Sequence, residues 1–408
     1  MNLKRIIISA LLALGITGAG AREGLLNREK RPTDGGSEMQ AINDARSIYS
    51  GNHRYGIVNY THYPNGPSYL LLLPLSIEQS DTPDFRVVPV IFSAMCIGVL
   101  SFGVMTYASS WILMLVGAVS CLSLLWQPGI LFWMGALHEH SYALGLCFAA
   151  MGLSLLPNLP RWLLFFLAFI SGWIGYDFTF CFIFSVLVCR LLVHAHTLQA
   201  PVKFLRRSFI DGCVTIAGIL AAIITHIIQN ALFFGGLRAA LADLVGSAAV
   251  RAGLSVGDSL NPSYSSYIHD AAAGKQYPRM DQINDIATLF ITPTWSDGRL
   301  ALGCFGLVGI CILLGLFRVA YLRLFRLDEL LNKSLFYIAV FCLALISGFA
   351  WFLLMPEHSR FHFHFIARHL FVPFCLVWLV LFDIAVRLFC LNRAGKTRSI
   401  AQFKSKMA

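Results

Sequence analysis

VVPVIFSAMCIGVLSFGVMTYA, from Val87 to Ala108, carries no charged side chain. A bilayer-spanning helix needs roughly 17–25 mostly apolar residues, so this stretch predicts a transmembrane helix. Similar runs lie on either side: Ile6–Ala21, Trp111–Trp126, Tyr142–Leu156, Trp162–Gly175, Phe178–Val193, Phe209–Phe234, Ala301–Leu322, Ser334–Met355 and Leu370–Cys390. Together they predict an all-α, polytopic bundle of about ten spans, filling residues 1–408 as one domain. Composition agrees. Hydrophobic residues make up 57% of the chain and charged residues 13%, against about 25% charged in a soluble domain. Helices with so few charges face lipid or one another.

The net charge of +10 does not imply nucleic acid. Many basic residues sit in short connections, where the positive-inside rule places them. With Lys4 and Arg5 on the cytoplasmic side, ten spans put three more groups there: Lys203, Arg206 and Arg207; Arg323, Arg326 and Lys333; and Arg393, Lys396, Arg398, Lys404 and Lys406. Both termini are then cytoplasmic. Arg22, Arg28, Lys30 and Arg31 conflict with this by following the first span outward. That span also has the form of a secretory signal, with a small-residue site at Ala19-Gly20-Ala21, though a retained helix is favoured. The eleven cysteines fall in apolar runs with no CxxC spacing, as packing residues do. No internal repeat of the transporter type is visible.

Two long outer loops result, 22–86 and 235–300, and they hold most of the acids. The same topology places three polar clusters on the outer face. The first contains Asp34, Glu38 and Asp44, in a segment whose Glu38 and Ile42 share a helical face beside Ala41 and Ala45. It leads into Tyr63-Pro64-Asn65-Gly66-Pro67, a Pro-bounded turn, and then the apolar stretch Leu70–Leu75, too short to span. The second is His138-Glu139-His140 between spans three and four, with Asp177 ranked behind Glu139. Charge at a span edge is costly, which favours a functional Glu139. The two histidines point apart on a helix and make a poor metal motif. The third cluster gathers His358, Arg360, His362, His364, Arg368 and His369 around three phenylalanines. A cationic face meeting an aromatic face at headgroup depth suits a phosphate on a lipid chain, because arginine forks onto phosphate oxygens. A plain aromatic belt with snorkelling cations is the structural alternative. Polar residues within the spans are few: His226, Gln229 and Asn230, and the i, i+4 pair Asp383 and Arg387.

Taken together, these clusters resemble the GT-C superfamily of integral membrane glycosyltransferases, which includes the protein O-mannosyltransferases and the aminoarabinose transferase of lipid A. Those enzymes open with one span, an acid pair, a helix ending in a spaced Ala and Gly, and a Tyr-Pro-Pro-like turn. Ser37-Glu38-Met-Gln-Ala-Ile-Asn-Asp-Ala45 through Gly51, then Tyr63-Pro64, has that shape. Glu38 matches the second acid. Ser37 replaces the first, usually the catalytic aspartate, and Asp34 is the substitute nearby. Leu137-His138-Glu139-His140 resembles the acid that opens the family's fourth span, and Ala367-Arg368-His369 the late element that meets lipid phosphate.

The resemblance implies transfer of a sugar from a polyprenyl-phosphate donor to a glycan, lipid or protein acceptor at the periplasmic face of a bacterial inner membrane. Glu38, Asp34 and Glu139 would be catalytic. Glu38 and Glu139 would hold a divalent metal, Mg or Mn, or Glu139 would orient the acceptor. Arg360, His362, His364, Arg368, His358 and Tyr63 would bind substrate. The alternatives are a lipid-linked saccharide transporter or flippase, which needs polar groups through the midplane, and a surface polysaccharide polymerase or ligase.

Overall fold

Residues 3–27, 37–50, 66–77, 84–125, 130, 134–137, 139–197, 201–252, 298–321, 334–355 and 367–407 are described by a computed structural model of the chain. Every regular element among them is helical. α1 is Leu3–Asn27, α2 Ser37–Tyr49, α3 Gly66–Leu70, α4 Leu72–Ile77, α5 Val87–Tyr107, α6 Trp111–Leu124 and α7 Glu139–Ser154. α8 is Arg161–Ile174, α9 Thr179–Thr197, α10 Pro201–Phe234, α11 Leu237–Arg251, α12 Gly298–Tyr321, α13 Ser334–Leu354 and α14 Phe371–Met407, preceded by a 3-10 turn at Ala367–Leu370. Six helices, α1, α5, α9, α10, α13 and α14, are long and apolar enough to cross a membrane. α6, α8 and 306–317 of α12 are shorter apolar helices. Each of the ten apolar runs of the sequence therefore falls on a helix, but six of them meet the length and composition of a span.

The helix boundaries depart from the sequence expectation in three places. α10 starts at Pro201, so Lys203, Arg206 and Arg207 belong to the helix and not to a loop before it. α14 continues through the basic tail. The expected loop 235–300 opens with α11, and 253–297 lies outside the described residues. α1 runs unbroken through Ala19–Ala21 to Asn27, and Arg22 at its end pairs with Glu23 at 2.8 Å.

Small residues set the closest helix contacts, as they do where lipid supplies no hydrophobic drive between helices. A Cβ on Gly103 of α5 would stand 2.0 Å from the Gly152 carbonyl oxygen of α7. One on Gly218 of α10 would stand 2.3 Å from the Phe165 oxygen of α8. Large apolar side chains point outward instead, among them Leu11 and Leu14 of α1, Leu220, Ile224, Ile228 and Leu232 of α10, and Leu313 and Phe317 of α12. That much exposed apolar surface belongs against lipid.

Cross-contacts fix which helix ends lie together. Gly24 meets Val90 while Arg5 donates to the Ala108 carbonyl, so α1 and α5 are antiparallel. Phe92 meets Tyr142 and Gly103 meets Gly152, so α5 and α7 are parallel. Arg161 pairs with Asp211 and Gly172 packs on Ala222, so α8 and α10 are parallel as well. One end of the bundle, here the basic end, therefore gathers Arg5, Arg161, Arg190 and Arg387. The opposite end, the loop end, carries the connections that hold α2, α3, α4 and α11.

At the basic end, arginines satisfy helix C-termini whose last carbonyls have no intrahelical partner. Arg190 donates to the carbonyls of Ser154, at 3.3 Å, and Leu156, at 2.8 Å, closing α7. Arg387 donates to Leu192 and Ala195 near the end of α9, at 3.2 and 3.4 Å. A cation at a helix C-terminus also opposes the negative end of the macrodipole.

Candidate functional site

α2 is held to the loop end by its apolar face. Ile42 and Ala45 are buried against Leu71, Phe85 and Leu137, with Ala41 and Leu75 beside them. The spacing expected from sequence, Glu38 one turn before Ile42 on a helix that buries Ala45, is met by the backbone. Leu71 separates α3 from α4 and is fully buried, whereas Leu73 is exposed, so the Leu70–Leu75 stretch is a broken, shallow segment. The Arg46 guanidinium lies 6.0 Å from the Phe85 ring, a cation–π contact that ties the far end of α2 to the start of α5.

Leu137 links α2 to α7, because Glu139 opens α7 two residues later. The approach to α7 is fixed by buried Arg86, which donates to the Gly135 carbonyl at 2.6 Å. α3 in turn lies on the end of α8. A Cβ on Gly66 would stand 2.6 Å from the Trp173 oxygen, and the Tyr69 and Trp173 rings are 5.5 Å apart.

The turn after α8 places Asp177 against α7. His140 Nε2 donates to Asp177 Oδ2 at 2.6 Å, with both side chains buried. The His140 ring lies 5.9 Å from Phe178, and Phe178 meets His369 edge-on at 4.2 Å. His369 is fully buried and also 6.3 Å from the Trp351 ring. It follows Arg368 in the 3-10 turn that starts the last helix. Immediately before Asp177, Tyr176 shares a hydrogen bond with His226 Nδ1, and Asn230 Nδ2 lies 3.2 Å from His226 Nε2.

The structure thus brings three of the sequence-derived elements to one end: α2 with Glu38, the start of α7 with Glu139, and the turn with Arg368. The side chains of Glu38, Glu139 and Arg368 lie outside the described residues, as do Asp34, Tyr63, His358, Arg360, His362 and His364 altogether. Among the described residues no group of three His, Cys, Asp or Glu side chains is placed to hold a metal ion. The sequence singled out Asp177 and His140 separately. Their pairing across 37 positions has no sequence signal. Asp44 gained no role in the sequence reading, yet it is half-buried on α2 and burial pushes its carboxyl up to about 6.

Two further polar sets lie at the basic end. Asp211 accepts from Arg161 Nε at 3.1 Å, Arg190 Nε at 2.8 Å and His194 Nε2 at 2.8 Å. Asp383 accepts from Arg387 Nε at 2.7 Å, from Tyr337 at 2.8 Å and from Tyr107. The Asp383–Arg387 pair was legible as an i, i+4 spacing, while Tyr107, Tyr337, Arg190 and His194 were not. No protein-family model, curated protein or solved structure matches the chain.

Proposed function

We propose that this helical membrane protein is a glycosyltransferase that takes a sugar from a polyprenyl-phosphate donor. In this reading it has ten spans, cytoplasmic termini at the basic end, and its site at the periplasmic loop end. The observation that carries the reading is the assembly of α2, the start of α7 and the Arg368 turn at one end of the bundle, joined through Leu137 and through the His140, Asp177, Phe178 and His369 contacts. An acid-bearing helix and a cation-bearing turn beside a lipid-facing bundle are what transfer from a lipid phosphate requires.

The chemistry needs two services. A carboxylate, Glu38 or else Asp34, takes the proton of the acceptor hydroxyl as its oxygen bonds to the anomeric carbon. The bond from that carbon to the phosphate oxygen breaks, and the phosphate leaves with the electron pair, stabilised by Arg360, Arg368 and the histidines between them. In the same reading Tyr63 and His358 bind the substrate. Leu137, two residues before Glu139, shares a buried cluster with Ile42 and Ala45 of α2, which fits an ion held between Glu38 and Glu139. A divalent Mg or Mn bound there would add positive charge beside the leaving phosphate.

The test is turnover of a purified polyprenyl-phosphate sugar by Glu38→Gln and Asp34→Asn, measured beside thermal unfolding. The variant that removes the base should lose roughly 10²–10⁴ in rate and keep its unfolding temperature. Normal turnover in both variants removes this assignment of the base, and no turnover by the wild-type protein removes the transferase reading and leaves the flippase. Cysteine labelling after Pro262 tests the topology, with reagent access from the periplasmic side expected.

A further inference from the structure

Lys203, Arg206 and Arg207 are exposed and make no ion pair or hydrogen bond with the described residues. They lie on the first turns of α10, interleaved with the exposed apolar side chains Val202, Leu205 and Phe209. Helical spacing sets Lys203, Arg207 and Asp211 on successive turns of one face. Asp211 holds the Nε of Arg161 from parallel α8, and the Arg161 side chain is still 51% exposed, which leaves its guanidinium accessible. Next to it, Trp162 and Phe166 are exposed and meet edge-on at 6.3 Å.

From these placements we propose that the basic end of the α8–α10 pair binds the phosphate headgroup of an anionic lipid. Two features point to a lipid and away from a soluble anion, and a third favours phosphate. The cations alternate with large apolar side chains, a pattern that suits the headgroup boundary and not water. Trp162 stands at the same level, where indole favours the interface. Asp211 pre-orients Arg161, so its planar fork is presented for phosphate oxygens with little further loss of freedom. Lys203 and Arg207 complete a cationic rail one and two turns beyond it. The site lies at the opposite end from the proposed transferase centre and stands whether or not that reading holds.

Native mass spectrometry of the full chain in detergent, titrated with phosphatidylglycerol or phosphatidylcholine, tests this. Wild type should retain phosphatidylglycerol in preference to phosphatidylcholine. Lys203→Ala with Arg207→Ala should bind phosphatidylglycerol roughly thirtyfold more weakly, the loss expected for two basic residues near an anionic surface. Lys203→Gln with Arg207→Gln keeps the stems and should show the same loss, which separates charge from packing. Arg22→Ala, at the loop end, should change nothing. Unchanged phosphatidylglycerol binding in both double variants overturns the proposal. So does competition by inorganic phosphate at equal concentration, which would mark a site for a free anion.

Discussion

At the basic end, Asp211 and Asp383 each accept from three side chains, and two of the arginines among those donors, Arg190 and Arg387, give further N–H groups to helix carbonyls. At the loop end, buried Asp177 is met by a histidine whose ring leans on Phe178, and Phe178 leans on a second histidine. Both ends bury carboxylates, but Asp211 and Asp383 each hold an arginine, Asp211 with His194 beside it, whereas Asp177 meets a histidine. Guanidinium stays charged at any relevant pH, so the basic-end sets are permanent ion pairs that close helix ends. Imidazole changes charge near neutrality, so the loop end is built from groups able to carry protons. The first arrangement suits a structural knot.

Removing Asp383 should have the largest effect, because it leaves the buried Arg387 guanidinium without its carboxylate. Asp383→Ala is expected to lose roughly 3–5 kcal/mol, seen as lost monodisperse protein or a lower unfolding temperature. Asp383→Leu with Arg387→Met should recover most of it, since a buried pair replaced by apolar residues is often neutral. A fully stable Asp383→Ala variant would break the contrast at its stronger side.

Asp177→Ala should lose less, about 1–3 kcal/mol for a hydrogen bond left unmade beside a group that can stay neutral. Asp177→Asn keeps an acceptor oxygen for His140 and should recover much of that stability. Equal losses in Asp177→Ala and Asp383→Ala, read by the same unfolding assay, would mean the loop-end pair is as fixed as the basic-end ones.

The smallest expected effect is at Asp44. Its carboxyl titrates at about 6 in the folded chain against 3.8 when exposed, because burial disfavours the anion. The folded chain therefore holds this proton more tightly than the unfolded chain. The stability it contributes is complete below 3.8 and is lost as pH rises through about 6. Asp44→Asn cannot ionise, so its unfolding temperature should change less with pH across that window than that of wild type. Parallel pH profiles for the two would show that α2 does not bury this carboxyl.

Helix positions were legible in the sequence because hydropathy is a local property. Val87–Ala108 as read and Val87–Tyr107 as folded differ by one residue, since the helix ends where the apolar run ends. The exceptions have the same origin. α10 reaches back to Pro201 because lysine and arginine are good helix formers whose charges hydropathy counts only as a stop. The sequence alone also put acids after the first helix and cations before the last, and gave the i, i+4 spacing of Asp383 and Arg387. Only the tertiary structure decided which groups meet: Tyr107 reaches Asp383 across 276 positions, and His140 reaches Asp177 across 37. Such pairs leave no periodic trace in a chain. They are selected when small residues such as Gly103 and Gly152 let helices approach, and a buried polar atom must then be satisfied by whatever side chain packing brings within reach.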